Sequence, residues 1–201
     1  MSHTDDLIAV LDANVLYPQW LRDIMLTLAA MGYYEPRWSP QIIDEMRRNV
    51  LADHPSIDAR RFDDTTITAL RDAFPFAWVE PRDELNATMD NEPGDRHVLA
   101  AAVAANAHLV VTANLADFRS RRFVSSGRVA IETPTDFLIT ALDDHPDLIA
   151  TVLLHLATRR RGVATIADVL DQLARNRALV PFAERARERL LFRRRPTLTI
   201  A

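Results

Sequence analysis

The chain contains no cysteine, and all 24 of its basic residues are arginine. The first absence excludes disulfides, thiol nucleophiles and thiolate metal sites, so a metal would have to be held by oxygen ligands or histidine. The second excludes lysine nucleophiles and Schiff-base chemistry. Only four glycines occur. They form no Gly-x-x-x-x-Gly-Lys phosphate loop, no dinucleotide Gly-x-Gly-x-x-Gly and no Gly-x-Ser-x-Gly elbow, which disfavours nucleotide-cofactor enzymes and serine hydrolases. No apolar run approaches the roughly 20 residues of a membrane span, and the N-terminal MSHTDD is acidic rather than positively charged. A cytoplasmic protein without a membrane partner is expected.

What is present is an ordinary globular balance, 48% apolar and 26% charged over 201 residues, enough for one substantial core or one domain with a helical appendage. The net charge of −4 conceals a division: residues 1–150 carry 13 arginines against 24 acids, and residues 151–201 carry 11 against 4. An acidic body with a basic tail can bind a polyanion through the tail, or the body of a second copy.

Leu7–Leu11 (LIAVL) reads as a buried parallel strand ending at Asp12, which places Asp12 at the sheet edge where open α/β folds bind ligands. The apolar spacing of Leu16, Trp20, Ile24, Leu28 and Met31 predicts one helix over 15–31, closed by Gly32, with Asn14 capping it or bonding Asp12. Ser39-Pro40 opens the next helix, on which Asp44 or Glu45 can point along the sheet edge. A further helix is expected over 56–74 with solvated charges at Asp58, Arg60, Arg61, Asp63 and Asp64, then a strand over 76–79 and an acidic loop over 81–94. Asp95 begins an alanine-rich helix able to lie close against the sheet. LVVT (Leu109–Thr112) is the next strand, followed by Asn114, Asp117 and the arginines Arg119, Arg121 and Arg122, and a last short strand is expected over 129–131. Four helical patterns then run near 135–143, 147–159, 165–176 and 181–192. Trp20, Tyr33, Tyr34 and Trp38 are read as core and dimer packing rather than base stacking, and His97 as a surface or packing residue.

Asp12 and Asp117 follow strand ends, while Glu45 and Asp95 stand near helix starts, positions that converge on one crevice in a doubly wound fold. Four crowded carboxylates raise one another's pKa values unless a cation occupies the site. Mg²⁺ or Mn²⁺ suits such oxygen donors, and in-line hydrolysis of a phosphodiester is the chemistry expected of it.

The sequence around Asp12-Ala13-Asn14-Val15-Leu16, Glu45 after Ser39-Pro40, Asp95 opening DRHVLAAAVA, and LVVTANLADF together resembles the PIN-domain ribonucleases, and within them the VapC-type toxins of toxin–antitoxin pairs. The resemblance covers about residues 5–133. It implies an α/β fold: a PIN-like parallel sheet of about four to five strands flanked by helices. A C-terminal all-helical extension follows, so that 1–133 is the nuclease domain and 134–201 the extension. It further implies an Mg²⁺- or Mn²⁺-dependent endoribonuclease, an RNA substrate, a cognate antitoxin and a homodimer. Carried over, Asp12, Glu45, Asp95 and Asp117 are the catalytic and metal-holding acids. Asn14, Thr112 and Asn114 support them, and Arg119, Arg121 and Arg122 bind RNA phosphates. Asn114 stands where many relatives carry an acid, which removes a charge from a second metal site. A non-catalytic RNA-binding or scaffold protein of the same fold, and a structure-specific DNA nuclease, are the alternatives.

Overall fold

The continuous apolar run after Leu7 forms β1 (Ile8–Leu11), a strand covered on both faces. The computed structural model describes residues 7–118, 129–159 and 162–192. Among these, β1 pairs in parallel with β2 (Glu35–Arg37) on one side and β3 (Leu109–Val111) on the other, and β3 pairs with β4 (Ala130–Glu132). The order is β2-β1-β3-β4, within the four to five parallel strands expected. The chain leaves β1 toward β2 and later enters β3 on the opposite side, so the gap between the ends of β1 and β3 is the switch point where ligands bind in such sheets.

β2 is absent from the expectations because Glu-Pro-Arg carries no apolar run. It survives as an edge strand, where the missing amide of Pro36 costs little. The expected strand over 76–79 is instead a 3-10 turn, Pro75–Ala77, followed by a lone bridge between Trp38 and Trp78. Pro75 sets the turn, and Phe76 stands 86% exposed where a strand would have buried it.

The helix expected over 15–31 divides. A short α1 (Ala13–Leu16) gives way at Pro18, which has no amide to continue the ladder, and α2 (Gln19–Ala30) restarts beyond it. The buried Arg22 donates from Nη1 to the Leu16 carbonyl at 2.8 Å, satisfying a group that the break leaves open. Gly32 then ends α2 at φ +82, as expected. Ser39 caps α3 (Pro40–Asp53) by accepting from the Ile42 amide.

Residues 59–73 form α4 (Ala59–Phe62), a π-turn (Asp63–Ile67) and α5 (Thr68–Ala73). Two of the charges expected to be solvated are engaged. Asp58 caps α4, and Asp63 accepts from both Nε and Nη2 of Arg47, at 2.6 and 2.9 Å. The loop expected over 81–94 contains α6 (Asp83–Thr88). Next, α7 (Arg96–Ala104) ends in a left-handed Asn106, φ 49, a position that asparagine tolerates better than most residues.

The helices α8 (Pro134–Asp144), α9 (Pro146–Arg159), α10 (Ile166–Ala174) and α11 (Val180–Ala186) follow. Thr133 caps α8, and a Thr165/Asp168 capping box starts α10. Their buried faces share one hydrophobic core with α2 and the sheet, and α9 and α10 pack directly on α2. Tyr33, Tyr34 and Trp38 are core residues, with the Tyr34 and Phe137 rings meeting edge-on at 5.0 Å. No described helix is long and apolar enough to cross a membrane.

The alanines of α7 divide between two neighbours: Ala101 and Ala102 belong to the main core, while Ala100 packs with Met89 and Leu99 toward Leu85 of α6. Ala101 is fully buried. Ala101→Leu is expected to lower stability by about 1–3 kcal/mol, read from the urea midpoint, because the added methylenes have no space. Ala104→Leu, exposed on the same helix, should change it by less than about 0.5 kcal/mol.

Candidate active site

Asp12 follows β1 and caps α1, and only 1% of it is exposed. A buried carboxylate persists only when hydrogen-bonded. Its Oδ1 accepts from the Ala13 amide at 2.6 Å, and its Oδ2 accepts from Asn14 Nδ2 and Thr112 Oγ1, each at 2.6 Å. Of roughly four acceptor positions on a carboxylate, one on Oδ1 is left open among the described residues. Burial and the Glu45 carboxylate push the Asp12 pKa up, and the bonds from Thr112 and Ala13 pull it down.

The same bonds join the ends of β1 and β3. Asn14 Nδ2 also donates to Thr112 Oγ1 at 3.1 Å, its Oδ1 accepts from the Ala113 amide at 2.9 Å, and the Asn114 amide donates to Thr112 Oγ1 at 3.1 Å. Asn114 Nδ2 in turn donates to Asp117 Oδ2 in the 3-10 turn Leu115–Phe118. Asn14 therefore bonds Asp12 and does not cap a helix, since Asp12 is the cap of α1 and Asn14 lies within it, and Asn114 orients an acid of the set.

Asp95 lies at the junction of a 3-10 turn (Pro93–Asp95) and α7. Its pKa is raised from the usual 3.8 to about 6 by burial first, then by the Asp12 and Asp117 charges and a hydrogen bond with Asp117. The Glu92 amide donates to the Asp117 carbonyl at 3.1 Å, so backbone holds these two acids near each other. Glu45 reaches the edge from α3, with its Oε2 3.3 Å from His97 Nε2. His97 Nδ1 donates to the Gly94 carbonyl at 3.0 Å, which fixes the ring. The 3.3 Å contact lacks hydrogen-bond alignment, leaving Nε2 shielded from water and without a hydrogen-bond partner among the described residues.

The fold thus places Asp95 within electrostatic reach of Asp12 and Asp117, and Glu45 within reach of Asp12. It does not close them: among the described residues no three acidic or histidine side chains form a ready-made metal cage. Arg119, Arg121 and Arg122 lie outside the described residues. In the basic C-terminal region, Arg185 is paired with Asp143 and Arg187 with Asp171. Sequence reasoning sets His97 aside, although its place two residues after Asp95 is the available signal.

Residues 9–116 match the PIN domain family. The chain belongs to the PIN-domain family. The span that carries the PIN domain takes in Asp12, Glu45, Asp95 and Asn114 and stops one residue before Asp117. A Mycobacterium tuberculosis (strain H37Rv) protein named "Putative ribonuclease VapC50" is 38% identical over 85 residues, which cover 42% of this chain and 47% of that protein. The match therefore spans about half the length of that curated relative. No solved structure matches the chain.

The raised Asp95 pKa has a consequence for stability. The folded state holds this proton more tightly than the unfolded chain, so the stabilisation is present below 3.8 and is lost as pH rises through about 6. Asp95→Asn removes the loss. In chelator, the urea midpoint of the variant minus that of the wild type is expected to grow across this window and level off above it.

Proposed function

We propose that this PIN-domain protein is an endoribonuclease, the toxin of a toxin–antitoxin pair, and that it hydrolyses RNA phosphodiester bonds at a Mg²⁺ or Mn²⁺ centre held by Asp12, Glu45, Asp95 and Asp117. The observation that carries the reading is that Asp95 lies within electrostatic reach of Asp12 and Asp117 at the carboxyl edge of the sheet, where burial first and those two charges next push its carboxyl up to about 6. Like-charge crowding of this kind is relieved by a bound cation. Family membership and the printed name of the M. tuberculosis relative support the nuclease class.

The donors fit a hard divalent ion in kind. They are all carboxylates, and Asp12 keeps an acceptor position on Oδ1 after its three hydrogen bonds. When bound, such an ion supplies an activated water and charge stabilisation for the phosphate and leaving oxygens. Asn14 and Thr112 keep Asp12 oriented, and Asn114 does the same for Asp117. Glu45 and Asp95 approach from two helices and would flank the scissile phosphate. Arg119, Arg121 and Arg122 are proposed to hold neighbouring phosphates, which makes RNA binding salt-sensitive. The toxin class carries with it a cognate antitoxin and a homodimer. We assign nuclease function to residues 1–133 and treat 134–201 as a helical extension.

The unclosed acid set favours a second reading, an RNA-binding PIN protein without catalysis. Incubating the purified full chain with cellular RNA and with single-stranded DNA, with Mn²⁺ or with chelator, decides between them. Mn²⁺-dependent RNA cleavage is expected, reduced by about two orders of magnitude in Asp12→Asn and Asp95→Asn. Mn²⁺ at a hundredfold excess over its Kd should also stabilise the wild type by about 2.7 kcal/mol, an effect Asp12→Asn loses. Equal cleavage by all three proteins would remove these acids from the reaction. Metal binding without cleavage would leave the non-catalytic reading, and cleavage of DNA alone would change the substrate.

A further inference from the structure

We propose that the cleft between α3, α6 and the turn entering α7 is a subsite for one ribonucleotide of a single-stranded RNA, next to the bond cut at the acidic edge. Its role in cleavage rests on the nuclease reading, and it deepens that reading by naming what the cleft recognises. The cleft has a volume of about 580 Å³, inside the roughly 300–1,000 Å³ typical of small-ligand sites. Glu45 and His97 line it and also belong to the acidic edge, so a nucleotide bound there is continuous with the phosphate at the carboxylates. The larger cavity, about 980 Å³ between α2, α5 and α9, touches none of the four candidate acids.

The chemistry of the walls favours a nucleotide. Arg48 of α3 and Arg96 of α7 bring guanidinium groups to a region otherwise rich in carboxylates, and Arg48 makes no ion pair among the described residues. Phosphate binding next to an acidic centre needs such local cations. Gln41 and Asn86 add carboxamides, which carry both donors and acceptors and pair with base edges. Asn86 Oδ1 is shielded from water and accepts no hydrogen bond among the described residues, a deficit that a base's amino group can repair once the side chain turns toward it. Asp44 and Asp83 also line the cleft, so it is no general trap for polyanions: the cations suit a phosphate and the carboxamides an uncharged base. A peptide is a poorer occupant, because the lining contains no large apolar side chain to receive an anchor residue.

The test separates the subsite from the nuclease reading. The four ribonucleoside monophosphates are titrated into isotope-labelled full-length protein in chelator, and the side-chain amide signals of Gln41 and Asn86 are followed by NMR. Saturable shifts at both are expected, with one base bound more tightly than the others. Asn86→Ala and Arg48→Ala should each weaken that binding by about tenfold. No saturable shift at either amide with any nucleotide overturns the subsite, whether or not the protein cleaves RNA. Shifts produced by an arginine-rich synthetic peptide and by no nucleotide overturn it as well, giving the cleft to a protein partner. Cleavage of random-sequence single-stranded RNA with Mn²⁺ is the second arm. Asn86→Ala should cut the preferred sequence about tenfold more slowly and flatten the base preference at one position beside the cut. An unchanged preference at every flanking position counts against the proposal. Nucleotide binding at these amides in a protein that cleaves nothing supports the subsite and removes only the nuclease reading.

Discussion

The structure depends on one buried carboxylate. Asp12 ends β1, starts α1 and receives bonds from Ala13, Asn14 and Thr112, and the Thr112 bond holds only while the ends of β1 and β3 stay together. An ionised group sealed from water without such bonds costs several kcal/mol. The requirement also works in reverse. Thr112 is fully buried and its hydroxyl is shared among Asp12, Asn14 and the Asn114 amide, so displacing the β3 end leaves several polar groups unpaired at once. The carboxyl edge of the sheet is thereby held as a unit, and the turn that carries Asp117 extends from it.

On that unit the fold brings together charges that oppose one another. Asp95 is not placed near Asp117 by side-chain rotamers alone, since the Glu92 amide bonded to the Asp117 carbonyl joins the two backbone segments. The two segments thus stay together at the backbone, and a hydrogen bond between the Asp95 and Asp117 side chains favours a proton held on Asp95. Burial first, and the repulsion between these charges second, raise the pKa of Asp95 to about 6, while the hydrogen bonds at Asp12 oppose its rise. The segment entering α7 also carries His97, anchored on Gly94 and turned toward Glu45, so helix α3 contributes to the same edge from its own side.

Much of this was legible where periodicity and chemistry agreed. LIAVL and LVVT announce their strands by continuous apolar character, and the acids that follow them fall at the carboxyl edge by topology alone. Ser39-Pro40 and Gly32 mark helix ends with the expected geometry. Elements defined by pairing rather than by their own residues were hidden. Glu-Pro-Arg becomes a strand only because β1 offers an open edge. Pro18 splits an unbroken apolar stripe, which shows that periodicity records burial and not backbone continuity. Asp63 resembles a solvated charge until α3 brings Arg47 to it. At the candidate site, the sequence suggests the four acids by their places at strand ends and helix starts, whereas the His97–Glu45 contact depends on how two helices are oriented relative to each other.

The C-terminal helices enter the argument through α2. That helix begins just beyond the break at Pro18, a few residues from Asp12, and its apolar residues Ile24, Met25 and Leu28 are fully buried. The four-stranded sheet alone does not supply that cover, because α9 and α10 pack on α2 as well. Val152, Leu153, Val169 and Leu170 bring fully buried apolar surface to the same core. Their arginines sit on the outer side of this layer, where Arg185 and Arg187 are occupied by Asp143 and Asp171. The positive charge of this region is therefore partly spent on joining α11 to α8 and the π-turn after it to α10. Arg185 is paired with an acid outside residues 151–201, so a net charge summed over them overstates what remains to attract a polyanion, and the cations beside the acids, Arg48 and Arg96, bear more directly on where the proposed RNA substrate would lie.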